Sequence, residues 1–332
     1  MRHSFFCIDA HTCGNPVRLV AAGGPMLPHL PMGERREIFI REHDWVRRAL
    51  MFEPRGHDIM SGAIIYPAHR VDCDFAVLFI EVSGCLPMCG AGTIGVVTAA
   101  IEEGLVKPRM PGVVVIETPA GRVDVTYTMK NGFVDAVRLH NVASYLHQSD
   151  IEVDVPGIGR LVVDIAYGGN FYAVIEPQKH WEGFEGMTAS QIIEYSQKLR
   201  HALKSICDPV HPDDERIRGV HHAIWCDVPV DSGADGRSAV FYGDKAIDRS
   251  PGGTGTSARM AQLHGKGRLP VGSTYRNESL IGTIFEGRIE SAANIGPFEG
   301  IIPSIGAWAR VIGHNTIYVD DRDPLAHGFQ IS

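Results

Sequence analysis

The sequence predicts an α/β protein built from two similar halves. Three observations carry that expectation. Apolar runs of strand length alternate with helical periodicity, short motifs recur in one order at a nearly constant offset, and a glycine-rich loop opens a helix in each half.

Taken in order, Phe75 to Val82 (FAVLFIEV) reads as an apolar strand. Thr93 to Glu103 reads as a helix closed by Gly104 as its C-terminal cap. Val113 to Glu117 is a second strand. Val123, Val125, Tyr127 and Met129 alternate with polar residues up to Asn131-Gly132, and FVDAVRL follows, a hairpin with a strong turn signal. Ala189 to Ser205 is a helix with Ile192, Ile193, Tyr195 and Leu199 on one side. The polar stretch VDSGADGRSA at 230–239 is the segment expected to be disordered.

The repeat is the most informative feature. Asp9-Ala-His-Thr-Cys-Gly14-Asn15 recurs as Asp164-Ile-Ala-Tyr-Gly-Gly169-Asn170, an offset of 155. Cys89-Gly90-Ala91-Gly92-Thr93 recurs as Gly252-Gly253-Thr254-Gly255-Thr256, an offset of 163, and each following helix ends in a glycine at the same distance, Gly104 and Gly267. Gly121-Arg122-Val123 recurs as Gly287-Arg288-Ile289, an offset of 166. The expected division is a first α/β half over 1–150, carrying the Cys89 loop and joined by the C-terminal residues 312–332, and a second over 151–311, carrying the Gly252 loop.

Composition narrows the function classes. The chain has 332 residues, 31 Lys and Arg against 39 Asp and Glu, and a net charge of −8. No basic block marks a nucleic-acid surface. No apolar run approaches the ~18–20 residues of a membrane span. The opening MRHSFFCIDAHTCGN turns polar too soon for a secretory leader. The seven cysteines are therefore expected as free thiols in a cytoplasmic protein. A monomer or homodimer acting on a small molecule is expected, without nucleic acid or membrane.

A glycine loop entering a helix directs unpaired backbone N–H groups at an anion, with the helix dipole behind them. Two such loops facing one another can grip one carboxylate. Cys89, at the mouth of the first loop, stands in the same positive field, which favours its thiolate. An anion clamp with a thiolate suits removal of the proton α to a carboxylate, since the clamp stabilises charge as it develops. Competing readings are weaker. Cys85 and Cys89 are spaced as a metal pair, but no second Cys/His pair with ligand spacing follows. Gly90-Ala-Gly92-Thr-Ile-Gly95 matches a dinucleotide fingerprint, yet seven residues, Pro87 among them, separate it from the strand where a tight turn is needed. The adjacent His221 and His222 would diverge on a strand, and Asp9 and Asp164 read as turn caps.

Leu86-Pro87-Met88-Cys89-Gly90 with Gly92-Thr93, and Asp248-Arg249-Ser250-Pro251 with Gly253-Thr254-Gly255-Thr256, resemble the two signature motifs of the proline racemase superfamily. The resemblance runs the whole chain and includes Arg55-Gly56-His57, Gly168 to Ala173 and Asp323-Pro324. Its wording, as in HTCGNPVRLV and FYGDKAIDRSP, is closest to the bacterial 4-hydroxyproline 2-epimerase branch. It implies a diaminopimelate-epimerase-like fold: two pseudo-symmetric halves, each a curled sheet around a central helix, with the active site in the cleft between them. It implies no metal and no cofactor. It makes Cys89 the catalytic base, and Gly90, Ala91, Asp248, Gly252, Gly253 and Thr254 substrate contacts.

Two departures from the pattern set the expected reaction. The family's epimerases carry a second cysteine where this chain has Gly252, and a histidine where it has Ala91. Trans-3-hydroxy-L-proline dehydratases of the superfamily also keep the first cysteine and replace the second. The reading taken from this inventory is dehydration of trans-3-hydroxy-L-proline to pyrroline-2-carboxylate. The alternatives are 4-hydroxyproline 2-epimerisation with a second proton from Cys13, a water or another non-cysteine acid, and a weakly active hydroxyproline-binding paralogue.

Overall fold

An apolar run with no polar alternation marks a strand covered on both faces, and Phe75–Glu81 is buried at every residue. In the computed structural model, which describes residues 1–331, the chain begins β1 (Arg2–Thr12), β2 (Asn15–Ala22), α1 (Met32–Met51), β3 (Ser61–Tyr66), β4 (Phe75–Glu81), β5 (Gly84–Leu86), α2 (Gly90–Glu102), β6 (Val113–Thr118), β7 (Gly121–Lys130) and β8 (Phe133–His140). It continues β9 (Ser144–Val155), β10 (Gly159–Tyr167), β11 (Phe171–Ile175), α3 (Ala189–Leu203), β12 (Val210–His211), β13 (Asp214–Arg218) and β14 (His222–Asp227). The remainder is β15 (Gly236–Tyr242), β16 (Ala246–Ile247), α4 (Gly253–Gly265), β17 (Thr274–Glu278), β18 (Ile284–Ile295), β19 (Phe298–Ala307) and β20 (Ala309–Asp320). These elements form two units, residues 1–139 with those from 307 onward, and residues 140–306.

In the first unit the strands pair in the order β20, β1, β2, β3, β4, β6, β7; β2–β3 and β4–β6 are parallel and the rest antiparallel. Helix α2 lies against β1, β2, β3 and β20. In the second unit the order is β9, β10, β11, β14, β15, β17, β18, β19, and β19 returns to pair with β9, closing a ring. Its parallel contacts, β11–β14 and β15–β17, fall where the first unit has its own. Helix α4 packs against β9, β10, β11 and β18. The repeat read from the sequence is thus a repeat of topology, and the α/β class with a central helix in each half stands.

Both central helices are enclosed. Every residue from Gly90 to Ala100 and from Gly253 to Leu263 is buried. A helix apolar all round satisfies that demand, as α2 does. Helix α4 carries Arg259 and Gln262 inside, so the second unit holds a polar network: Arg259 donates to Gln262 at 2.6 Å and to Glu176 at 2.8 Å, and Gln262 donates to Asp164 at 2.6 Å. Both helices end alike. Gly104 (φ 65°) and Gly267 (φ 69°) turn the chain, while Leu105 N–H reaches the Ala100 carbonyl and Arg268 N–H reaches that of Leu263. Asn131 (φ 53°) and Gly132 (φ 84°) take the positive φ pair of the hairpin turn read from the sequence. A capping box, Thr188 with Gln191, starts α3 at Ala189.

Two expectations change. The 230–239 stretch is held in place: the Glu278 carboxylate accepts the Val230 and Asp231 N–H groups at 2.7 and 3.1 Å, and Gly236–Ala239 belongs to β15. Asp9 and Asp164 lie within strands rather than capping turns; Asp9 takes a two-pronged contact from Arg18 at 2.8 and 2.9 Å, and Asp164 accepts from Lys266 at 2.7 Å.

Gly168 sets how closely α4 approaches the end of β10. A Cβ there would overlap the Thr254 carbonyl and the Ala258 amide, both backbone. Gly168→Ala is expected to cost on the order of 1–3 kcal/mol, the usual range for overpacking, read as a lower urea midpoint with an unchanged slope.

Candidate active site

The sequence-predicted site residues fall at the starts of the two enclosed helices: Cys89, Gly90 and Ala91 at α2, and Asp248, Gly252, Gly253 and Thr254 at α4. Cys89 is the N-cap of α2 in an extended conformation (φ −137°, ψ 110°), and its Sγ accepts the Gly92 N–H at 3.2 Å. Its carbonyl accepts the Thr93 N–H at 2.9 Å and the Thr93 hydroxyl at 2.8 Å, so the thiol's position is set from both ends of the turn. Cys89 is 9% exposed. The Gly90 and Ala91 N–H groups belong to the first turn, whose donors have no partner within the helix. Ala91 is anchored through its carbonyl, which accepts the Thr12 hydroxyl at 2.8 Å. Gly92 is required for space: a Cβ would stand 3.0 Å from Cys89 Sγ and 3.2 Å from the Phe79 ring.

Glu81, which the sequence reading passed over as part of an apolar strand, ends β4 with its carboxyl buried, 4% exposed, and hydrogen-bonded to the Cys89 thiol, Ser83 and Ser61. Burial pushes its pKa up, and those three hydrogen bonds oppose the rise. A lone carboxylate closing an otherwise apolar strand just before the Cys89 glycine loop was the available signal.

At α4 the N-cap is Gly252, with φ 75°, ψ 115° and no side-chain cap. The loop before it is braced by Asp248, whose Oδ1 accepts the Ser250 N–H and hydroxyl, both at 2.8 Å; Ser250 Oγ in turn accepts the Gly252 N–H at 3.2 Å. A Cβ at position 252 would stand 3.5 Å from Asp248 Oδ2 and 3.1 Å from a Val240 methyl. The place a cysteine would occupy is therefore bordered by a carboxyl group. Thr254 Oγ1 lies 2.6 Å from the Tyr172 hydroxyl and accepts from Asn170 at 3.5 Å. Tyr172 and Asn170 were legible only as parts of a motif, with no role attached.

Tyr172 packs on His222, with ring centroids 5.1 Å apart. Burial, then the neighbouring His221 and Arg200, lower the pKa of His222 to about 3, so its ring is neutral at working pH. His221 and His222 diverge, one exposed and one buried. Cys13 sits in the β1–β2 turn, in the same unit as Cys89, with its thiol directed at the Trp308 carbonyl at 3.5 Å. Among the described residues no three His, Cys, Asp or Glu side chains converge to hold a metal ion, and no helix is long and apolar enough to cross a membrane.

This arrangement sets a thiol at the N-cap of a buried helix in one α/β unit and a glycine–carboxylate turn at the start of the counterpart helix in the other. The family model described as proline racemase matches residues 7–330, and the chain belongs to that family. It is 76% identical to a 4-hydroxyproline 2-epimerase 2 of Rhizobium rhizogenes over the full length of both chains. It is similar to the crystal structure of a hydroxyproline epimerase from Agrobacterium vitis with bound trans-4-hydroxy-L-proline, with TM-score 0.90, 28% identity, and 100% and 97% of the two chains covered. The fold extends to a PhzF-family phenazine biosynthesis protein of Bacillus anthracis, with TM-score 0.59, 14% identity, and 96% and 99% covered.

These relatives overturn the dehydratase reading. That reading equated the missing thiol at Gly252 with a missing second proton donor. An inventory of thiols is not an inventory of acids, and the Asp248 carboxyl borders the vacated position.

The positive φ of Gly252 disfavours any side chain. Gly252→Ala is expected to lower stability by about 1–2 kcal/mol, measured by urea denaturation, and Gly252→Cys should carry the same strain.

Proposed function

We propose that the protein is a 4-hydroxyproline 2-epimerase, inverting Cα of trans-4-hydroxy-L-proline to give cis-4-hydroxy-D-proline. The observation that carries the reading is the Cys89 thiol at the N-terminus of a buried helix, in a chain 76% identical to an epimerase of that name. In this reading the Cys89 thiolate takes the Cα proton: the C–H bond breaks, an S–H bond forms, and the electron pair spreads over the substrate carboxylate. The N–H groups of Gly90, Ala91, Gly253 and Thr254 are the donors that stabilise that charge.

Inversion requires a proton returned to the other face of Cα. Asp248 is the side chain best supported for that step, because its Oδ2 borders the position a second cysteine would fill. Cys13 is a weaker choice, since it shares a unit with Cys89 and directs its thiol at a backbone carbonyl. The seven free cysteines support a cytoplasmic enzyme.

Proton NMR in heavy water is the test. Trans-4-hydroxy-L-proline should yield the Cα-deuterated cis-D epimer, while trans-3-hydroxy-L-proline should not be dehydrated. Cys89→Ala should abolish both turnover and exchange at Cα. Asp248→Asn should lower kcat by about 10²-fold, the scale of one general acid. Pyrrole-2-carboxylate, planar at Cα like the carbanion, should inhibit competitively. Full exchange in Cys89→Ala would remove the mechanism.

A further inference from the structure

The buried Glu81 is not used by the reaction as described. Its carboxyl ends β4, directly opposite Ser61 on β3 in the strand register, at the tight β4–β5 turn. Ser83 donates to Oε2 at 3.1 Å, and Ser61, itself hydrogen-bonded to Asn15 at 3.4 Å, and the Cys89 thiol complete its partners. The charged groups around it are otherwise engaged. Arg47 of α1 donates to the Glu81 backbone carbonyl at 2.9 Å and to both Asp44 oxygens at 2.6 and 2.8 Å, so its charge is matched by Asp44. Cys85 on β5 is a thiol whose pKa burial pushes up to about 12, so it stays neutral.

A carboxyl and a thiol joined by a hydrogen bond hold one proton between them. Buried away from water, the carboxylate is the costlier anion. The thiolate has what the carboxylate lacks: the Gly92 N–H at 3.2 Å and the positive end of α2.

We propose that Glu81 is the proton acceptor that converts Cys89 to its thiolate, the two side chains sharing one proton. The S–H bond breaks, an O–H bond forms on Glu81, and the pair keeps a single negative charge throughout. Glu81 is a positioning residue: it acts on the substrate only through Cys89. The proposal rests on Cys89 being the base, as in the preceding reading, but its test needs no turnover.

The experiment is alkylation of the whole protein by iodoacetamide across the acid-to-alkaline range, with the Cys89 peptide quantified by mass spectrometry. A pair that shares a proton titrates in two macroscopic steps. The Cys89 rate should therefore rise to a plateau near neutrality and rise again in alkali. In Glu81→Gln the profile should collapse to a single step, and kcat should fall about 10²-fold with KM little changed. A merely structural glutamate would leave one step in both proteins. A single step in the wild type, or two steps retained in Glu81→Gln, overturns the proposal. If Glu81→Gln fails to fold, the wild-type profile alone decides. A two-step profile in a protein that does not epimerise hydroxyproline would leave Glu81 in place and remove only the reaction.

Discussion

Enclosing an entire α-helix leaves its first-turn N–H groups without water, and in both units that constraint shapes the rest. The sheet must curl far enough to cover every face of α2 or α4, which is why strands from both ends of each unit's sequence meet at one helix. The helix must also be thin where strands cross it. A Cβ at Gly95 would stand 3.0 Å from Val17, and one at Gly255 would stand 3.2 Å from Val240. The glycines that read as an anion loop thus do two jobs. They expose donors at the helix mouth, and they let the surrounding strands close. At α2 one donor is taken by Cys89 itself, so the enclosure that orphans the N–H groups also holds the Cys89 thiol.

Much of this was legible because it is local. The Asn131-Gly132 turn, the Gly104 and Gly267 caps and the glycine loops each follow from φ values that few residues accept. The repeat was legible because both units spend those residues at the same places. What was not legible is set by contacts distant in sequence. No local signal tells that Val230 and Asp231 are pinned by Glu278, or that Asp9 reaches across to Arg18 on β2 and Asp164 to Lys266 at the end of α4.

The site shows the same boundary. Cys89 announced itself through the glycines that follow it. Glu81 lay in an apolar run, and only the return of the chain through β5 brings it to the thiol. The reaction was misread for a related reason. Gly252 was judged by the side chain it lacks, whereas the geometry shows what borders the space: the carboxyl of Asp248, four residues earlier in the same loop.

The ring closure of the second unit has a consequence for how the chain is made. Its first and last strands pair, Tyr145 with Gly300 and Ser144 with Ile301, and the Asn141 N–H reaches the Pro303 carbonyl at 2.8 Å. The unit begins and ends at one place, so it is topologically an insertion in the first. β1, synthesised before the second unit, takes β20 as a partner along its whole length, from Arg2 with Asp320 to Thr12 with Ala309. That partner emerges only after the insertion has been synthesised. The nascent first half therefore carries an open sheet edge through most of translation, the state in which strands pair with wrong neighbours. The second unit can close its own ring while the first still waits for its last strand.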